Sequence, residues 1–177
     1  EDSVSGWSSY GGQTKHFLNT EYNPCGSSSG SAVAVAIGIV DIAIGTETNG
    51  SISCPSSVNG IVGFKPTVGL VSRSGIVPIS STQDTAGPMG KSVALVAKTL
   101  EVISGYDPLD PATIDIPENL DLNFTKDLDS SSISGKRFAI IQSYSSNILI
   151  KPKLDEIKKI LQENGGILVE IEDMREY

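Results

Sequence analysis

The sequence is poor in the residues that most often announce a function. It has one histidine, His16, in 177 residues. That excludes a multi-histidine metal site and leaves a Ser–His–Asp triad open only through this residue. Two cysteines, Cys25 and Cys54, are too few for a disulfide scaffold and stand at no zinc-ligand spacing. Both read as small buried thiols rather than catalytic ones. Lys and Arg are outnumbered 13 to 21 by Asp and Glu, the formal charge is −8, and there is no basic run. This balance argues against a partner that is a nucleic-acid backbone. The longest uncharged apolar stretch, Ala32–Val40, is too short to cross a bilayer. The chain opens on Glu1-Asp2 instead of Met, with no signal-peptide pattern. It reads as an interior piece of a longer cytoplasmic protein.

What is present is unevenly placed. Residues 1–90 hold 14 of the 18 glycines and 16 of the 25 serines but only 9 of the 34 charges. The second half carries the rest of the charge and reads as an ordinary α/β surface. A hydrophobic fraction of 38% is that of a globular chain, and the length suffices for one domain with a real core.

Residues 1–24 read as loop. The cluster Ser27-Ser28-Ser29-Gly30-Ser31 then feeds Ala32-Val33-Ala34-Val35-Ala36-Ile37, which predicts a capped helix, apolar all round and therefore covered on every side. Ile42-Ala43-Ile44 and Ile61–Phe64 predict short strands. Residues 65–90 are rich in turn residues. The spacing of Val93, Val96, Ala97 and Leu100 predicts a helix from Lys91 to Ser104, with Gly105 as its stop. Residues 106–135 read as a polar surface connection. A strand at 137–142, a helix marked by Leu154, Ile157, Ile160 and Leu161, and a strand at Ile167–Ile171 predict a parallel β-α-β unit.

Two segments look like backbone devices: Pro24-Cys25-Gly26-Ser27-Ser28-Ser29-Gly30-Ser31 and Gly45-Thr46-Glu47-Thr48-Asn49-Gly50-Ser51. Small residues at the end of an apolar element let a row of N–H groups face an anion, either a phosphate or a transition-state oxyanion. The first segment lacks the spacing and the lysine of a phosphate-binding P-loop, and neither Ser27 nor Ser29 is flanked as in a G-x-S-x-G elbow. The residues by themselves leave an anion-holding loop and a plain Gly/Ser-rich loop both open.

Taken in order, Pro-x-Gly-Ser-Ser-x-Gly-Ser, Gly-Thr-Glu-Thr-x-Gly-Ser-Ile, Gly-Phe-Lys-Pro-Thr (63–67) and Gln-Asp-Thr-Ala-Gly-Pro (83–88) closely resemble the amidase signature family, from about Ser5 to Pro108. The resemblance implies part of an α/β fold, a mixed β-sheet core covered by helices on both faces. Residues 1–105 would be the core segment, 106–135 the connection, and 136–177 the start of a C-terminal β-α-β part of the same domain. It implies a Ser–cis-Ser–Lys mechanism on a small-molecule amide substrate. Ser51 falls on the nucleophile and Ser27 on the relay serine, with the Gly26–Ser27 peptide cis and Gly26 and Ser28 in support. The backbone N–H groups of Thr48, Asn49, Gly50 and Ser51 fall on the oxyanion hole. No cofactor, metal or nucleic acid is needed, no membrane segment is present, and the full-length protein would be a homodimer.

The chemistry asks for one more part. A serine hydroxyl is a weak nucleophile and needs a base, which a neutral buried lysine can supply through a second serine. In the family that lysine lies well upstream of the cis-serine. Here Lys15 is the one lysine before Ser27, it resembles an ordinary loop position, and it is not assigned; Lys65 matches a non-catalytic motif. The chain therefore reads as inactive alone. Asn49, Ser53 and Ser29 depart from the family's common residues, Ser53 standing where many members carry Arg. Glu47 and Asp84 read as acceptors for loop amides, and His16 as a loop residue. Three functions stand: an amidase, an amidotransferase subunit of the same family that releases ammonia from glutamine for an acyl-tRNA, and a non-catalytic binding fragment.

Overall fold

The small, β-branched run from Ile42 forms a strand, and the segment that pairs with it is one whose composition suggests turns. The computed structural model describes residues 5–141 and 147–171. In chain order the elements are β1 (Trp7–Ser8), β2 (Gly12–Gln13), α1 (Ser29–Ala36), β3 (Ile42–Glu47), α2 (Ser53–Val58), β4 (Val62–Gly63), β5 (Thr85–Gly90), α3 (Val93–Ile103), β6 (Arg137–Ile141), α4 (Lys151–Glu163) and β7 (Ile167–Ile171). The chain divides into two units between Thr125 and Lys126. The expected loop at 1–24 contains a minimal hairpin, β1 against β2, with Trp7 opposite Gln13.

In the first unit an antiparallel sheet runs in the order β3-β5-β4. Its middle strand, β5, lies in the stretch that the sequence marks as turns. Every residue of Thr85–Gly90 is buried. A Cβ at Gly87 would run into the Phe64 carbonyl oxygen and one at Gly90 would meet Ile42 Cδ1 at 2.7 Å, so close neighbours hold both positions to glycine, and with Pro88 they hide the strand from a hydrophobic-pattern reading. Pro88 fits the ladder because it stands opposite Ile44. The Ile44 carbonyl takes the Ser31 hydroxyl instead (2.8 Å), and the Pro88 carbonyl accepts the Phe64 N–H (3.0 Å).

Two clusters hold the sheet. Met89 packs with Ala32 and Ile52, and Ala86 packs with Val71 and Leu100. Met89 and Ala86 are three apart on one strand, so they face opposite sides. Helix α1 thus covers one face and α3 the other. Full burial of side chains such as Ile52, Met89 and Leu100 contributes about 1.5–3 kcal/mol each. Gly45 is required by this packing: a Cβ there would sit 2.6 Å from Met89 Sδ and 2.9 Å from Ser28 Oγ.

Helix α1 is not covered on every side as its composition predicts. Among the described residues only Ser29, Ala32 and Val35 of this helix are buried, one stripe at a spacing of three. Ile37 and Ile39, just beyond it, are exposed. Helix α3 follows its predicted span. The Ser92 hydroxyl caps it by accepting the Leu95 N–H (3.3 Å), and Gly105 follows its end.

Residues 106–125 belong to the first unit and are tied to it by side-chain bonds. Arg73 grips Asp110 with two bonds of 2.9 Å, and Asp107 accepts the Ser72 hydroxyl at 2.6 Å. Thr113 is fully buried. The second unit holds β6 and β7 paired in parallel, with α4 between them in sequence, as the β-α-β pattern predicts. Gln142, expected to close the first of these strands, lies outside the described residues. The whole is an α/β fold.

Candidate active site

The two Gly/Ser segments come together because the first turn of α1 docks its serines onto the edge of β3. Ser28 stands at the N-cap of α1, yet its hydroxyl makes no capping bond. It donates to the Thr46 carbonyl and accepts the Thr46 N–H, both at 3.1 Å. This corrects the predicted cap: an unpaired strand edge offers two backbone partners to one hydroxyl. Ser31 closes the same edge at Ile44 (2.8 Å), and the Ser29 hydroxyl turns back to the Cys25 carbonyl. The Ser28 N–H donates to the Ser51 carbonyl at 3.1 Å, which ties the two segments directly.

Cys25 and Cys54 form a disulfide, with Cα atoms 5.9 Å apart. This overturns the reading of two buried thiols. They lie 29 residues apart with no local signal, and only the docking of α1 beside α2 makes them neighbours. Asn59, which nothing in the sequence singles out, clamps the same corner by donating to the carbonyls of Pro24 (2.9 Å) and Pro55 (2.8 Å).

Of the six serines at positions 27, 28, 29, 31, 51 and 53, four have committed hydroxyls. Ser28, Ser29 and Ser31 bond as above, and Ser53 donates to the Glu47 carboxylate. Ser27 and Ser51 make no side-chain hydrogen bond to a described residue, and none links one to the other. The Gly26–Ser27 peptide is cis. Ser27 is exposed and Ser51 half-buried. A cleft of about 490 Å³ opens at Gly26, Ser27 and Gly30, with Trp7 and Thr14 on its wall; Ser51 is not among its lining residues.

The loop after β3 is held by two carboxylates. Glu47, 7% exposed, accepts the N–H groups of Gly50, Ile52 and Ser53, each at 2.8 Å. Burial works against its charge, but the bonds from Ser53, Gly50 and Ile52 outweigh it and hold its carboxyl below the ordinary value. Gly50 has φ +88°, so the turn that aims its amide at Glu47 needs glycine. The Gly50 N–H is therefore already donated, which sets it apart from the other three expected oxyanion donors. The N–H groups of Thr48, Asn49 and Ser51 meet no acceptor among the described residues' loop and side-chain hydrogen bonds. Asp84 holds the other end. It accepts the Thr48 hydroxyl at 2.5 Å and the N–H groups of Ile79 and Ser80 at 2.7 and 2.8 Å. These bonds, Thr48 foremost, keep its carboxyl below the usual range.

His16 is closed to catalysis. It is buried, with Nε2 3.0 Å from the Val58 carbonyl and Nδ1 facing the N–H groups of Leu18 (3.2 Å) and Asn19 (3.4 Å). Nδ1 thus accepts and Nε2 donates, and neither nitrogen is left for a serine. Among the described residues no group of three His, Cys, Asp or Glu could hold a metal, and no helix is long and apolar enough to cross a membrane.

The family model for amidases matches residues 3–175. A "probable amidase" of Arabidopsis thaliana is 44% identical over 93% of this chain and 31% of its own length. The solved peptide amidase of Stenotrophomonas maltophilia superposes with a TM-score of 0.91 at 48% identity, over 97% of this chain and 35% of its own. A solved glutamyl-tRNA(Gln) amidotransferase subunit from Thermotoga maritima superposes at 0.80 and 34% identity, over 90% and 35%. The chain thus spans about a third of the length of these relatives.

Proposed function

This chain belongs to the amidase family, and we propose that it carries the nucleophile, the relay serine and the oxyanion loop of an amide-hydrolysing site. The observation that carries this reading is the division among the serines. Four of the six hydroxyls around the two loops are committed to backbone or carboxylate partners, and Ser27 and Ser51 are left for chemistry. The pairing of Ser28 with Thr46 also favours Ser27 over its neighbour as the relay.

In the proposed reaction the Ser51 Oγ bonds to the amide carbonyl carbon while its proton passes to Ser27 and on to a base. The N–H groups of Thr48, Asn49 and Ser51 receive the charge that develops on the carbonyl oxygen; one such donor is typically worth about 10²–10³ in kcat. The C–N bond breaks, ammonia or an amine leaves with a proton, and water hydrolyses the acyl ester on Ser51. The base is a neutral lysine by family resemblance, and neither Lys15 nor Lys65 is assigned to it. The isolated 177-residue chain is expected to be inactive.

The higher identity and TM-score to the peptide amidase than to the amidotransferase subunit favour a hydrolase that stands alone. The test is an assay of the full-length protein on a panel of carboxamides, glutamine included, with Ser51→Ala and Ser27→Ala beside it. Ser51→Ala should lose about 10⁴-fold or more in kcat. Activity that survives it would sink the reading, and a requirement for co-purifying subunits would favour the amidotransferase.

A further inference from the structure

We propose that Asp84 is a positioning residue of this site: through the Thr48 hydroxyl it sets the aim of the peptide N–H groups in loop 48–51. The inference rests on the amidase reading above and adds a residue to it.

Strands β3 and β5 pair antiparallel up to Glu47 opposite Thr85. One step further along the same register places Thr48 against Asp84. The ladder bonds fall on the odd residues of β3, because Thr46 spends its backbone groups on Ser28. Thr48 and Asp84 therefore occupy the kind of cross-strand position where side chains approach most closely. There the Thr48 Oγ1–H donates to Asp84 Oδ1 at 2.5 Å.

Asp84 is itself fixed, so it can act as an anchor. Its second oxygen takes the N–H groups of Ile79 and Ser80, and its own N–H donates to the Ser80 carbonyl at 2.9 Å. Arg73, held by Asp110, donates to the adjacent Ser81 carbonyl at 2.6 Å. The loop from Thr48 to Ser53 is then pinned at both ends by rigid carboxylates. Glu47 takes Gly50, Ile52 and Ser53, and Asp84 takes Thr48. Glu47 makes no bond to Thr48 or Asn49, so of the two carboxylates only Asp84 holds the near end. An oxyanion hole works because its donors need no reorganisation when charge develops, and a loosened first donor loses that advantage without weakening substrate binding in proportion.

The test is a double-mutant cycle on kcat in the full-length protein, with KM and the thermal midpoint measured for each form. Thr48→Val keeps the shape and deletes the hydroxyl. It should lower kcat about tenfold to a hundredfold, with KM changed less than about threefold. Thr48→Ser, which restores a hydroxyl, should recover most of that loss. Asp84→Asn should lower kcat as well, and adding it to Thr48→Val should bring little further loss. Unchanged kcat in Thr48→Val, full additivity of the two losses, or losses that track only KM or the midpoint would overturn the proposal. If Asp84→Asn does not fold, the Thr48→Val and Thr48→Ser pair decides it. Ser51→Ala separates the two levels: full activity in that variant refutes the amidase reading and this proposal with it. An inactive Ser51→Ala beside an unaffected Thr48→Val refutes only the role of Asp84.

Discussion

The two units carry the same number of charges, 17 each, but the first spreads them over 125 residues and the second over 52. Their use differs more than their density. In the first unit Glu47 and Asp84 accept mostly backbone N–H groups, and Asp110 accepts two, from Arg73 and Ala112, beside the Arg73 guanidinium, so that each holds a loop or a turn in one shape. In the second, Lys151–Asp155 and Lys159–Glu163 are exposed pairs one turn apart on α4. A carboxylate that accepts directional bonds from a folded backbone specifies geometry. An exposed pair on a helix surface mainly keeps that surface in water.

The comparison breaks most sharply at Glu47. Glu47→Ala removes the acceptor for three N–H groups, and about 3 kcal/mol of stability should go with it. Chemical denaturation of the full-length protein checks this, and a variant as stable as the parent would mean that the loop holds without its carboxylate. Acid gives a broader effect. Asp84 and Asp110 are held below the ordinary carboxylate range by Thr48 and Arg73 respectively, and Glu47 lies below it despite burial. A depressed folded-state pKa contributes stability that is complete above the unfolded value, about 4, and is lost as pH falls through the folded one. Denaturation midpoints should therefore be level above about pH 5 and drop steeply below about pH 4. The smallest effect belongs to the second unit: Lys151→Ala should leave the thermal midpoint unchanged within error. A clear loss there would erase the distinction between the units.

Much of the site is legible in the sequence because its parts are short, ordered motifs. The resemblance points to a cis peptide before Ser27, and Glu47 and Asp84 read as acceptors for loop amides, which is the use the structure makes of them. What stays hidden depends on distant pairs. The Cys25–Cys54 disulfide closes 29 residues, and the His16–Val58 bond closes 42. Strand β5 escapes because close neighbours hold Gly87 and Gly90 to glycine and Pro88 stands between them, and glycine and proline are residues that mark turns.

The sequence by itself determined which residues could do chemistry: one histidine, two Gly/Ser loops, and serines placed at their ends. It also determined α3, whose 3.6-residue spacing is a local property. Only the tertiary structure decided which of those serines are available. Hydroxyls 28, 29, 31 and 53 are claimed by partners that arrive when α1 docks on β3 and when the loop folds over Glu47. A hydrogen bond is made to whatever lies within about 3 Å, and no local pattern records what the chain will bring there.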